Sequence, residues 1–259
     1  HPETRCYARA LVTDICGQFS PDSLIMEAIT LQPAQHGAHH EIANIAMTPA
    51  LRWLWSLCFC PQCMEESARL IRGLDPPALR EKLKKLLTRL ANTETLIHGN
   101  GDSQTMMLML EMPEIFDYQR ARQLIVAGFI AEISAEIHKA NVEFRLIPSA
   151  LPFDINHVYI EGMNFTATAG LADRLMPLVY APGETYELAR NTIRLFDSKT
   201  PVGMVNTLFP NTSPNKASFL NAMKSARDEG CETFYVYNYS MASTGRLEWV
   251  AEMNRGFHA

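Results

Sequence analysis

Residues 201–239 read PVGMVNTLFPNTSPNKASFLNAMKSARDEGCETFYVYNY. The opening run, Pro201-Val202-Gly203-Met204-Val205-Asn206-Thr207-Leu208, is short, nearly all apolar and rich in β-formers, as expected of a strand buried on both faces. Residues 215–229 then carry helical spacing, and Gly230 closes that helix. Residues 232–239 form a second apolar, aromatic run. A strand, a helix and a strand with no hairpin signal between them predict a crossover connection, so the two strands run parallel.

The same alternation extends upstream. Residues 174–180 read as a strand leading into a helix over 184–197. Residues 143–149 read as another strand, followed by an irregular stretch and a short helix near 165–171. The first strand is Ser23-Leu24-Ile25-Met26-Glu27-Ala28-Ile29. It is preceded by a helix over 2–17, with Pro2 at its start and Gly17 at its end. Between the first two strands lies a long helical stretch, an insertion over 43–140. Its parts are a helical region over 49–72, a helix capped by Asp75 with Leu79, Leu83, Leu86, Leu87 and Leu90 at helical spacing, and an amphipathic helix over 117–139 through Ala121, Ile125, Phe129, Ile133 and Ile137. Residues 93–113 show no clear period.

Five strands in β-α-β order, with neither a G-x-G-x-x-G turn nor a P-loop, do not favour a doubly wound nucleotide-binding sheet. A TIM-type (β/α) barrel has eight strands in commonly about 250 residues. The expectation is a single α/β barrel domain over 1–259 that supplies strands equivalent to the fourth to eighth. The chain starts at His1 without an initiator methionine, and the first three strands are expected to be absent from it. An incomplete barrel exposes strand edges, so a homo-oligomer is expected.

Composition narrows the function classes. The 259 residues are 47% hydrophobic and 20% charged, with a formal charge of −5, ordinary values for a globular protein. No basic stripe points to nucleic acid. No apolar stretch approaches the roughly 20 residues that span a bilayer, and no signal peptide is visible. Six cysteines in a chain of this length are too few for a disulfide framework, which points to a reducing, cytoplasmic setting.

Half of those cysteines fall in Cys58-Phe59-Cys60-Pro61-Gln62-Cys63. Three thiols at C-x-C-x-x-C spacing can converge on one soft metal ion, and tetrahedral zinc is the usual occupant. Cys6, Cys16 or a histidine could serve as fourth ligand. The competing reading is three small apolar residues at a helix end, since free cysteine is among the most buried residue types.

Glu27 ends a fully apolar strand, where a carboxylate is costly unless paired or used. At a barrel's strand ends it reads as catalytic, against the plainer role of hydrogen-bond partner to a neighbouring element. His36, His39 and His40 follow in the next loop and could bind hydroxyls, shuttle protons or hold a metal, though no H-E-x-x-H is present. Tyr180, Asn206 and Asn238 stand at or near later strand ends, where aromatic faces and amides suit a sugar pocket. Glycoside hydrolysis needs two carboxylates, about 5–5.5 Å apart for retention and about 6.5–9.5 Å for inversion. Glu161, in Tyr159-Ile160-Glu161-Gly162, ranks first as the second carboxylate, ahead of Asp154 and Glu184.

A helix opening His1-Pro2-Glu3-Thr4-Arg5, a strand with a terminal glutamate and a C-x-C-x-x-C cluster together resemble the TIM-barrel glycoside hydrolases of clan A. The likeness is closest to the family 42 β-galactosidases and related uncharacterised bacterial barrel proteins. The resemblance implies a carbohydrate substrate, Glu27 as general acid/base, and a structural zinc on Cys58, Cys60 and Cys63 completed by a cysteine upstream of His1. It extends over most of the chain in layout and over residues 1–65 in motif. Two departures stand out: Met26 precedes Glu27 where the family has asparagine, and the run 201–208 has no carboxylate where the family carries its nucleophile. The alternatives are a barrel that binds a carbohydrate or a partner without catalysis, and a metal-dependent hydrolase or lyase using the histidine loop.

Overall fold

The structure, a computed structural model, describes residues 1–34, 48–91, 101–149, 155–179 and 184–258. Helix α1 (Pro2–Phe19) begins with Pro2, whose missing N–H costs nothing at a helix start, and the His1 imidazole accepts a bond from the Glu3 backbone N–H. It runs through Gly17 and stops at Ser20, which takes the left-handed conformation at φ 45°. Strand β1 (Ser23–Met26) is followed by five helices: α2 (Pro49–Trp55), α3 (Pro61–Leu70), α4 (Pro76–Ala91), α5 (Gly101–Glu111) and α6 (Pro113–Lys139). The helical region expected over 49–72 is two helices, α2 and α3, and the cysteine segment forms the break between them. Asp75 does cap α4, accepting from the Ala78 N–H at 3.0 Å.

Strand β2 (Glu143–Leu146) leads to a 3-10 helix (Ile155–Glu161) and the short α7 (Phe165–Thr168). Then come β3 (Arg174–Leu175), α8 (Tyr186–Arg194), β4 (Met204–Thr207), α9 (Lys216–Asp228), β5 (Phe234–Tyr237) and α10 (Thr244–His258). Every strand pair is parallel. β1, β2 and β3 form one sheet, with Ser23 opposite Glu143 and Leu146 opposite Leu175. β4 and β5 form a second, with Met204 opposite Phe234. Isolated bridges from Leu175 to Val202 and from Leu178 to Val205 set β3 beside β4.

The expected TIM-type barrel is not what these strands build. They make two small sheets of three and two strands, β1 pairs only with β2 and β5 only with β4 among the described residues, and no barrel closes. Helices dominate the fold. Part of the reason lies at Pro177. It has no N–H to donate to a ladder, so residues 174–179 yield a two-residue strand and two isolated bridges. A continuous apolar run signals burial more surely than it signals ladder pairing.

Residues alternate across the strands as the pleat demands. Leu24, Met26, Phe144, Leu146, Leu175 and Met204 pack into the main core with α1, α6 and α9. Ile25, Ile147, Met176, Leu178, Val205 and Tyr235 form a smaller cluster on the opposite face. Beside that cluster Arg145 donates to the Glu143 carboxylate at 2.6 Å and to the Tyr235 hydroxyl at 2.8 Å, and this bond holds the Glu143 carboxyl below the usual carboxylate range. A separate core, built on Trp53, Leu57, Leu79, Leu83, Ile115, Tyr118 and Ile160, joins α2, α4 and α6 to the 3-10 helix. Among the described residues no helix is long and apolar enough to cross a membrane.

Gly203 lies where neighbouring strands leave no room for a side chain. A Cβ there would lie 2.5 Å from the Met176 sulfur and 2.8 Å from the Thr233 carbonyl oxygen. Gly203→Ala is expected to destabilise the protein by about 1–3 kcal/mol through overpacking. Gly17→Ala, which meets nothing within 4 Å, is expected to stabilise α1 by about 0.5–1 kcal/mol. Urea midpoints of the two variants check this, and equal midpoints would refute the packing described at Gly203.

Candidate metal centre

Helix α2 ends at Ser56 and α3 starts afresh at Pro61, so residues 57–60 cross between two helix ends. Cys60 occupies the N-cap of α3 in extended conformation, Pro61 is the first helical residue, and Cys63 lies in the first turn. This geometry folds the spacing back on itself: the sulfurs of Cys58, Cys60 and Cys63 all lie within 4.8 Å of one another. Zinc–thiolate bonds of about 2.3 Å at tetrahedral angles set sulfurs roughly 3.8 Å apart, so the three fit around one ion and could hold a metal. Cys58 and Cys60 reach solvent and Cys63 is half-buried.

The helix start shapes the chemistry of the sulfurs. The Cys63 N–H at the first turn of α3 lies toward the Cys60 sulfur and, as the largest influence, holds that thiol below its ordinary pKa. Burial instead pushes the Cys63 thiol up to about 12, and the neighbouring Cys58 and Cys60 sulfurs add to the rise. A cavity of about 440 Å³ opens beside Cys63, with His1, Arg5, Leu31, Glu66 and Glu132 among its walls.

Helix α6 fixes the backbone that carries the cysteines. The Tyr118 hydroxyl donates to the Cys58 carbonyl, and the Tyr118 ring stacks on Phe59 with centroids 4.5 Å apart and planes within 7°. One turn on, Arg122 donates to the carbonyls of Ser56 and Ile160, each at 3.0 Å, and to the Gln119 side-chain oxygen at 2.8 Å. Gln119 accepts from the Trp53 indole N–H at 2.9 Å and donates to the Tyr159 carbonyl at 2.7 Å. Tyr118 and Arg122 are essentially inaccessible to solvent, and Gln119 is nearly so.

Of the fourth ligands expected from the sequence, Cys6 is exposed on α1 and Cys16 is buried in the main core. Neither joins the sulfur group, which among the described residues consists of the three cysteines alone.

The other expected site residues are dispersed. Glu27 directly follows β1 and is exposed, yet enough protein surrounds its carboxyl for desolvation to raise its pKa. Glu161 ends the 3-10 helix and is fully buried. Its carboxylate accepts from the Thr30 hydroxyl at 2.5 Å and the Ser149 hydroxyl at 2.9 Å, and its carbonyl accepts from the Leu31 N–H at 2.9 Å. Asn206 is buried in β4, where its side-chain oxygen accepts from the Thr207 N–H at 2.6 Å. With Glu184 it lines a second cavity of about 330 Å³ against α8 and α9. Asn238 is half-buried and caps the 3-10 turn Tyr239–Met241, accepting from the N–H and hydroxyl of Ser240 at 3.0 and 2.9 Å. His36, His39, His40, Asp154 and Tyr180 lie outside the described residues.

The residues that sequence reasoning missed are Tyr118, Gln119 and Arg122. The buried face of α6 includes Ala121, Ile133 and Ile137 of the expected stripe, but between them it runs through Arg122, Val126 and Ile130 rather than Ile125 and Phe129, and it begins at Ile115 and Tyr118. An arginine standing in register within an apolar stripe was the available signal.

Set against protein-family models, curated proteins and solved structures, the chain matches none of them.

Proposed function

We propose that Cys58, Cys60 and Cys63 hold one zinc ion and that the ion is structural. The observation that carries this reading is the convergence of three sulfurs on a volume one ion can fill. Three soft thiolate donors favour zinc over magnesium or calcium, which take oxygen ligands. As free thiols the three sit crowded, with Cys63 strongly disfavoured as a thiolate by burial. A cation among them reverses that balance, and the free energy of binding becomes folding free energy for the break between α2 and α3. Three protein thiolates leave one coordination position for a fourth ligand.

Purified chain is expected to carry about one zinc, and Cys60→Ser is expected to lose it. At a free zinc concentration of about 100 times Kd, binding stabilises the folded chain by about 2.7 kcal/mol, and that zinc-dependent gain should vanish in Cys60→Ser. Metal analysis with paired melts checks both. Zinc content indifferent to Cys60→Ser, or a wild-type melt unmoved by zinc and chelator, would sink the reading.

A second reading, carbohydrate hydrolysis with Glu27 as general acid, is favoured by one observation: desolvation raises the Glu27 carboxyl while leaving it in reach of solvent. A raised carboxyl stays protonated to higher pH and so remains able to donate a proton to a leaving oxygen. Should a glycoside be turned over, Glu27→Gln is expected to lower kcat about 10²–10⁴-fold. The wild-type rate should fall as pH rises through the elevated Glu27 pKa, and the variant should lack that alkaline limb. A variant with the wild-type pH profile removes Glu27 from the chemistry.

A further inference from the structure

We infer that Arg122 is the buried counter-charge of the three-cysteine metal centre, an inference that rests on the metal reading above. Arg122 is 2% exposed, and arginine stays cationic at any physiological pH. A buried guanidinium is normally paired with a carboxylate. Here every hydrogen-bond acceptor is neutral: two backbone carbonyls and the Gln119 amide oxygen. Its Nε is buried with no hydrogen-bond acceptor. Among the described residues no Asp or Glu bonds it, and the titratable groups near enough to act on its charge include Tyr118, Cys63 and Cys58.

Those partners supply the missing anion only when a metal is bound. Three thiolates and a divalent ion carry one net negative charge before a fourth ligand is counted. A single fixed cation in the adjoining low-dielectric core offsets it, where Coulomb interactions are strongest. The placement is specific. Arg122 is anchored at the Ser56 carbonyl, two residues before Cys58, and by the same guanidinium at the Ile160 carbonyl. It therefore cannot withdraw from the centre without breaking the joint between α2 and the 3-10 helix. An apolar residue would fill the same helix position at lower desolvation cost if packing were the only demand.

Arginine thus has opposite effects in the two states. Without metal its charge is uncompensated; with metal it stabilises the thiolates. The test uses the full chain with Co(II) as probe, whose thiolate charge-transfer absorption reports binding, and compares wild type with Arg122→Met, Arg122→Gln and Arg122→Lys. Arg122→Met and Arg122→Gln are expected to bind Co(II) about 10–100-fold more weakly, the scale of outer-shell losses at metal sites. Both variants also lose the bonds to the Ser56 and Ile160 carbonyls, so their melting temperatures are expected to fall less, relative to wild type, without metal than with it. Arg122→Lys, which keeps the charge but not the fork of donors, is expected to recover most of the affinity.

Unchanged affinity in Arg122→Met and Arg122→Gln overturns the inference. So does a lysine variant as weak as the neutral ones, which would make the hydrogen bonds rather than the charge decisive. Failure of both neutral variants to fold, with or without Co(II), also overturns it and leaves Arg122 a purely structural strut. A wild-type chain that shows no Co(II)–thiolate absorption fails one step earlier, at the metal centre itself.

Discussion

Burial of one helix, α6, is the constraint from which the rest of the molecule follows. Its 27 residues span both large cores. Val126, Ile130, Ile133 and Ile137 pack under β1 and β2 with α1, while Ile115 and Tyr118 pack with α2, α4 and Trp53. A stripe recurring every three or four residues along the whole helix keeps one face inward, so α6 cannot turn to suit one core without exposing the other. The chain before it and the sheet after it are both laid against a fixed surface.

Between the two apolar stretches, that surface is polar. Tyr118, Gln119 and Arg122 occupy the place where the cores meet, and each is used to hold backbone rather than water. Residues at a helix end or in a break between helices have carbonyls and N–H groups without partners. The carbonyls of Ser56 and Cys58, at the end of α2 and just past it, are satisfied by α6 side chains, and the N–H groups at the start of α3 face Cys60. The sulfur cluster is therefore a consequence of a broken helix held open from one side.

Much of this was legible in the sequence, and what was not has definite physical causes. The β-α-β order, the parallel strands and the convergence of Cys58, Cys60 and Cys63 follow from periodicity and spacing, which are local. The barrel does not, because closure depends on which strand edges meet, and apolar runs such as 174–180 say that residues are buried without saying that they pair. Pro177 was visible in that run and was the local reason for a ladder two residues long. The α6 stripe was read correctly at Ala121, Ile133 and Ile137, but it did not include Tyr118, Arg122, Val126 and Ile130, which are also buried. Tertiary context decides otherwise: the two terminal nitrogens of the Arg122 guanidinium meet the carbonyls of Ser56 and Ile160 and the Gln119 amide oxygen, partners that come from distant sequence. Glu161 was expected as the second carboxylate of a glycosidase pair. Its two hydroxyl partners, Thr30 and Ser149, come from distant sequence and leave no local trace.

Arg122 and Glu161 meet at one peptide unit, which links the cysteine cluster to the strand ends. The carbonyl of Ile160 accepts from Arg122, and the next residue, Glu161, ties the loop after β1 through its carbonyl to Leu31 and its carboxylate to Thr30. Tyr159, one residue earlier, accepts from Gln119. The 3-10 helix is thus held from one side by α6 and the segment that carries the cysteines, and from the other by the loop that begins at Glu27. Hydrogen bonds between buried groups have no water to fall back on, so breaking one leaves its partner unsatisfied at a cost of about 1–3 kcal/mol. A metal that stiffens residues 58–63 therefore also stiffens the backbone on which the β1 loop rests. Bracing at the cysteines and chemistry at Glu27, if a substrate binds there, would act through one continuous scaffold rather than as separate features.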